Sequence, residues 1–379
     1  MTVDYLDGLE QGFDLLQIRR ESRRLDHHRS VHAIPTVPRQ ILSGPYPEFT
    51  RDWQLISAVG LVLGGGGITG AAFEMAALMA IELATGWNCN DADVVVGTSS
   101  GSFVAALVRH DRLDLDSLVL PDDSRKEVAL RIKERTYRSR PGVHLVKWMR
   151  HGLLPGVRKP GLTLLLGSPA PYDTTGLGDW VREELGAEAE EWPDRATVIV
   201  AFDASTRRRT AFGTTSAPEI GLADAVCAST AIPLVFRPHL HDGRPYVDGG
   251  VASGTHADLV LGNDRPLDLV LVIAPMAAEE ERRGALPHER LFDRVGRRSL
   301  DEETALIKEQ WPDTQILVIR PTPRVLTAMR PNPMDPDLAV PAFVRTLIGM
   351  KKCLGEPETW SILERHLGAE PRVRQSTNR

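Results

Sequence analysis

The chain has 379 residues, 42% of them hydrophobic and 25% charged, with a formal net charge of −6. That length fits one large domain or two ordinary ones, and the composition is that of a globular protein. The negative balance argues against a dedicated nucleic-acid binder, and Cys89, Cys227 and Cys353 show no metal spacing and cannot all pair, so they read as reduced thiols of a cytoplasmic protein.

Residues 1–55 read as an extension. Arg19, Arg20, Arg23, Arg24 and Arg29 stand among His27, His28 and His32, and Pro35, Pro38, Pro45 and Pro47 then break any long helix. A short amphipathic helix near Phe13–Ile18 fits the pattern. The stretch reads as a solvated arm, with a binding or membrane arm as the alternative. Asp4, Asp7, Glu10 and Asp14 with no basic-then-apolar opening do not make a secretory signal. The apolar runs, such as Leu269 to Ala274, are short of the roughly 18–20 residues of a membrane span.

From Val59 the pattern changes to short apolar runs that end at glycine or aspartate and lead into helical periodicity. Strands are expected at Gly60–Leu63, Asp93–Val96, Thr197–Ala201, Tyr246–Val247, Leu269–Ala274 and Gln315–Ile319. Continuous apolar strands alternating with helices imply a mostly parallel sheet covered on both faces, with functional groups at the carboxyl ends of its strands.

The first strand runs into Gly64, Gly65, Gly66 and Gly67. Gly65, Gly67 and Gly70 satisfy G-x-G-x-x-G, the dinucleotide fingerprint. That reading needs an acidic residue about 20 positions on, at the end of the second strand. Asp91 and Asp93 instead precede Val94–Val96, and Gly97-Thr98-Ser99 follows; no G-K-S/T completes a P-loop either. The alternative use of such a loop is to point backbone N–H groups at a reacting oxygen.

The second strand ends in Gly97-Thr98-Ser99-Ser100-Gly101, and Ser102–Arg109 follows with helical propensity. This is G-x-S-x-G in its strand–turn–helix context, the nucleophile elbow. The turn is tight, so the positions two before and two after the serine must lack bulk. Gly97 and Gly101 meet that demand for Ser99, whereas Ser100 has Thr98 and Ser102 there.

Residues 118–180 interrupt the rhythm. Between Arg125 and Lys159 basic residues crowd against only Glu127 and Glu134, with Val143, Leu145, Trp148 and Leu153 interleaved. Such a segment reads as an amphipathic helix pair with a solvated basic face, or as a face for an anionic membrane. Segments 143–154 and 162–166 suit a lid, an acyl channel or core.

A serine hydroxyl needs an adjacent base. His239, His241, His256, His288 and His366 follow in the order a triad would require, and only His256 comes close to a strand-end loop. A carboxylate at a strand end stands out instead: Asp248-Gly249-Gly250 directly after Tyr246-Val247. Residues 276–312 are charged and helical in pattern, and 321–379 hold a Pro-rich loop, a helix at Val340–Leu354 and a ragged tail.

The Gly-rich loop, G-x-S-x-G and D-G-G, in that order, resemble the patatin-like phospholipases. Ala225–Pro233 and Gly250–Asp258 resemble the segments flanking that family's D-G-G, and Asn332-Pro-Met-Asp335 resembles a tail motif of bacterial members. The resemblance covers roughly residues 58 to 262. It implies an α/β fold, a three-layer α/β/α sandwich around a mixed, mostly parallel sheet. It also implies a serine–aspartate dyad, with Ser99 as nucleophile and Asp248 as base. Gly65, Gly66 and Gly67 would form the oxyanion hole, with Gly64, Gly70, Gly97, Gly101, Gly249 and Gly250 shaping the motifs. The substrate would be a phospholipid or other lipid ester, with no metal, no cofactor and transient membrane contact. The expected location is the cytoplasm, with or without a peripheral hold on the membrane. The domain plan is an arm at 1–55, a catalytic domain at 56–320 and a helical tail at 321–379. Thr69 departs from the family's G-G-G-x-R/K-G, which removes a cation near the loop. Competing readings are an esterase with a Ser-His-Asp triad and a non-catalytic lipid-binding or regulatory protein.

Overall fold

The computed structural model describes residues 57–114, 119–120, 123–139 and 170–368. The N-terminal arm, the middle of the basic segment and the last residues of the tail lie outside them.

The strands are β1 (Val59–Leu63), β2 (Val94–Thr98), β3 (Arg138–Ser139), β4 (Tyr172–Asp173), β5 (Ala196–Asp203), β6 (Arg208–Phe212), β7 (His239–His241), β8 (Arg244–Asp248), β9 (Leu269–Ile273) and β10 (Gln315–Ile319). The α-helices are α1 (Gly67–Thr85), α2 (Ser100–Arg109), α3 (Arg125–Thr136), α4 (Thr175–Leu185), α5 (Leu222–Ser229), α6 (Pro287–Gln310), α7 (Pro323–Met329), α8 (Ala339–Leu354) and α9 (Pro357–Leu367). Each of the six strands expected from an apolar run is present, within a few residues at its ends.

Eight strands form one sheet in the order β10-β9-β1-β2-β5-β8-β7, with β6 also on β5. The first five are mutually parallel, and β6, β8 and β7 are added antiparallel. β3 and β4 pair separately. The strand period of two splits the apolar residues between two cores. Leu61, Leu63, Val95 and Ile199 face Phe73, Leu78 and Val104 on α1 and α2. Val62, Val96, Val200 and Val272 face Val260, Leu300 and Ile307 on the other side. The result is the α/β/α sandwich, with α6 forming most of the second helical layer. Each fully buried Leu, Ile or Val contributes about 1.5–3 kcal/mol of transfer free energy, so both faces are held tightly.

Two features correct the reading from sequence. α1 is a 19-residue helix with mean hydropathy 1.4, long and apolar enough to cross a membrane, although most of it is buried inside the fold. Glu74 and Glu82 punctuate it, so it does not show in sequence as one unbroken apolar run. The C-terminal segment is also more than a tail: α8 lies on α1 and puts Ala342 and Phe343 into the main core.

The joint that positions the site lies on β5. β2 pairs in parallel with Ala196–Val200, whereas β8 pairs antiparallel with Ala201–Asp203. β6 occupies the opposite edge of β5 over Ile199–Asp203, so β2 and β8 share one edge. They run toward each other along it, and their carboxyl ends meet, with Thr98 beside Val200 and Asp248 beside Ala201.

Candidate active site

Ser99 follows β2 at that meeting point, in a left-handed conformation (φ 53°, ψ −121°) that non-glycine residues rarely adopt. Its neighbours explain how so tight a turn is held. A Cβ on Gly97 would lie 2.6 Å from the Gly101 carbonyl oxygen, and one on Gly101 only 2.2 Å from the Leu63 carbonyl oxygen. The Ser99 N–H donates to Ser229 Oγ at 2.9 Å, and Ser229 Oγ donates in turn to the Val200 carbonyl at 2.6 Å. α1 begins beside Ser99 and α2 directly after it, so two helix N-termini bring their positive ends to the hydroxyl.

Ser99 Oγ donates a 2.5 Å hydrogen bond to Asp248 Oδ2. The other oxygen, Oδ1, accepts from the Gly250 N–H at 2.7 Å, and the Asp248 N–H donates to the Ala231 carbonyl. Burial raises the carboxyl to about pKa 6, against the lowering pull of Ser99 and Gly250. Gly249 is required where β8 abuts β5, because a Cβ there would lie 2.4 Å from the Val200 carbonyl oxygen.

Among the described residues no histidine bonds to Ser99 or Asp248. His256, the nearest candidate by sequence, is buried with Nδ1 3.2 Å from Thr98 Oγ1, and burial depresses it to about pKa 3. It is a neutral ring behind the elbow. His288 is exposed on α6, and His366 contacts Ser57 and Gln315.

The glycine loop lies over Ser99. A Cβ on Gly65 would be 3.1 Å from Ser99 Cβ. The three expected donors divide into two kinds. The Gly65 N–H is engaged by the Gly254 carbonyl at 2.7 Å and anchors the loop, as the Gly64 N–H does on Ile273. Gly66 and Gly67 open α1, where N–H groups have no intrahelical acceptor, and no other acceptor takes them among the described residues. Gly67 has φ 64°, and a Cβ there would meet Met334 Sδ at 2.7 Å.

Thr69 is fully buried; its hydroxyl donates to the Met329 carbonyl and its N–H to the Pro333 carbonyl. The position that departs from the family pattern therefore ties the loop to the segment around Asn332–Asp335. Glu303 of α6 braces the loop from behind. It accepts from Thr255 Oγ1 at 2.6 Å, from the Ala257 N–H at 2.7 Å and from Ser253 Oγ. That fixes the stretch whose Gly254 carbonyl holds Gly65. Ser229 and Glu303 were not singled out from sequence; Ser229 lies in the Ala225–Pro233 flank, which was the available signal.

An apolar cavity of about 120 Å³ leads from Ser99. Met75, Phe103, Ile132, Trp180, Phe236 and Phe343 supply much of its wall, with Phe103 and Trp180 in ring contact at 4.7 Å. α3 and α8 build two of its sides, so part of the basic segment and part of the expected tail line it. A serine, a buried carboxylate, unengaged N–H groups and an oily channel make a site suited to acyl transfer on an apolar ester.

A family model for patatin-like phospholipases matches residues 61–261. No curated protein matches the chain in sequence. Among solved structures, VipD from Legionella pneumophila is 12% identical, with 82% of this chain and 67% of that chain covered at a TM-score of 0.36. Human GIVD cytosolic phospholipase A2, in complex with methyl gamma-linolenyl fluorophosphonate, is 12% identical over 94% of this chain and 64% of its own, at 0.37. The ExoU–SpcU complex of the Pseudomonas aeruginosa type III secretion system gives 18% identity over 82% and 57%, at 0.27. The chain spans less than two thirds of the latter two.

Proposed function

The chain belongs to the patatin-like phospholipase family, and from that premise we propose that it is a serine lipid acyl hydrolase working through Ser99 and Asp248. The observation that carries this reading is the 2.5 Å Ser99–Asp248 hydrogen bond at the end of an apolar cavity. Ser99 Oγ attacks the ester carbonyl and passes its proton to Asp248 Oδ2. Negative charge gathers on the carbonyl oxygen and is met by the N–H groups of Gly66 and Gly67; one such donor is typically worth about 3 kcal/mol of barrier. Asp248 returns the proton to the departing alcohol, leaving an acyl-serine. Water then attacks the acyl group, giving a proton to Asp248, which hands it back to Ser99 as the fatty acid leaves. The acyl chain occupies the cavity between α1, α4 and α8. Without a cation at Thr69, oxyanion stabilisation falls to backbone donors alone. We also propose a cytoplasmic location, where the thiols of Cys89, Cys227 and Cys353 stay reduced.

Hydrolysis of a p-nitrophenyl acyl ester tests the reading. The wild-type protein turns the ester over, and both Ser99→Ala and Asp248→Asn abolish turnover, whereas His256→Phe keeps a substantial rate. Near-normal activity in either Ser99→Ala or Asp248→Asn would remove the assignment. A wild-type protein inert on all lipid esters would leave a non-catalytic lipid-binding role.

A further inference from the structure

The catalytic reading leaves unexplained a cationic edge at the same end of the sheet. β5 continues to Asp203, beyond the level at which Thr98 and Asp248 meet. The β5–β6 connection therefore stands past the Ser99–Asp248 pair, and so does the turn that opens β8. Arg207 ends the first and Arg208 opens β6 next to it, Arg244 opens β8 after the second, and all three are exposed. None makes an ion pair among the described residues, whereas their neighbour Arg209 is bound to Asp258. Arg208 and Arg244 face one polar hollow together with Thr206 and Ser216. On the edge strand β7, one register step from Arg244 and on the other face of the sheet, Leu240 is 69% exposed, the most exposed large hydrophobic residue among those described.

We propose that Arg207, Arg208, Arg244 and Leu240 form a docking edge for an anionic phospholipid bilayer, which sets the Ser99–Asp248 end of the sheet against the lipid. The proposal rests on the lipid-hydrolase reading for its purpose, but its evidence is separate. A chain of net charge −6 is repelled by an anionic surface as a whole, so it can approach only through a locally positive face. Guanidinium groups give planar, multiple donors suited to phosphate oxygens, and the Thr206 and Ser216 hydroxyls add further donors. The exposed leucine at the same end of the sheet enters the acyl boundary, the combination found at interfacial surfaces. Asp242, exposed at the tip of the β7–β8 turn, opposes the arginines there; Asp203 also lines the hollow, where it accepts from Ser205 and Thr206.

Vesicle co-sedimentation of the full-length Ser99→Ala protein tests this without consuming the lipid. Phosphatidylcholine vesicles are compared with vesicles that also contain phosphatidylglycerol. Each basic residue at an anionic surface is worth about 1 kcal/mol, or about fivefold in partition. Arg207→Gln/Arg208→Gln/Arg244→Gln is therefore expected to lose about 100-fold in binding to the anionic vesicles at low salt. Leu240→Asp should weaken binding to both. In the Ser99 background, hydrolysis of a soluble short-chain ester should be unchanged by these substitutions. Triple-variant binding equal to that of the parent overturns the proposal and moves docking elsewhere. So does a parent that does not distinguish the two vesicles, or a triple variant whose oligomeric state changes instead of its lipid binding. If the Ser99 protein fails on the soluble ester while vesicle binding behaves as expected, the hydrolase reading fails and the docking edge stands.

Discussion

Asp248 concentrates the conflict between stability and function in one side chain. It is buried, so its carboxyl is held near pKa 6 rather than 3.8. A base must be ionised to accept the Ser99 proton, so kcat/KM should rise with pH through about 6 and level off above it. The folding consequence has the opposite sign. The native carboxyl binds its proton more tightly than the unfolded one. Stability from this group is therefore complete below pH 3.8 and declines as pH rises through about 6. Asp248→Asn removes the buried charge and can still accept from the Gly250 N–H. It should be inactive, equal to wild type in stability below pH 4, and more stable at pH 7 by about 2–3 kcal/mol. Paired urea titrations at the two pH values check this, and a variant less stable than wild type at pH 7 contradicts it. Ser99 and Asp248 were legible in sequence because tight turns force glycines around them. Ser229 was not, since a serine in a helix has many uses and only folding brings its hydroxyl to the Ser99 N–H.

At the scale of elements, the central strands were readable because burial on both faces writes them as unbroken apolar runs. β6 (Arg208–Phe212) and β7 (His239–His241) were missed because solvent covers one side of each and no such run forms. They matter, since β6 forces β2 and β8 onto the same edge of β5 and so brings Ser99 to Asp248. The brace from α6 was equally invisible, because it joins elements far apart in sequence. Glu303 accepts three hydrogen bonds, which favour its ionised form against the upward push of burial. Glu303→Gln puts an NH₂ where an acceptor is needed and loosens the stretch that holds Gly65. It should lower kcat about tenfold and leave KM within about twofold, as befits a positioning residue acting on transition-state stabilisation. Labelling of Ser99 by a fluorophosphonate should slow in step with kcat. Unaltered labelling with lower stability alone would reduce Glu303 to a structural support.

At the scale of the whole molecule, the two helical layers are tied together above the carboxyl ends of the strands. Arg330, at the end of α7, reaches Asp293 on α6 at 3.0 Å, with both side chains buried. The chain then continues through Pro333, which receives the Thr69 N–H, and Met334, whose carbonyl receives the Tyr137 hydroxyl. One buried pair thus fixes the segment that roofs the glycine loop, and links it to the opposite layer. Burial pushes the Asp293 carboxyl up while Arg330 pulls it down, so removing the arginine leaves an uncompensated buried acid. Arg330→Met should cost about 3–5 kcal/mol, whereas Arg330→Met/Asp293→Leu should recover most of that loss, because two apolar side chains replace a desolvated ion pair. Urea unfolding of wild type, both single variants and the double variant completes the cycle. If Arg330→Met alone stays within about 1 kcal/mol of wild type, the pair does not join the layers. If the double variant regains stability but not ester hydrolysis, the pair sets the position of the glycine loop as well as holding the layers together.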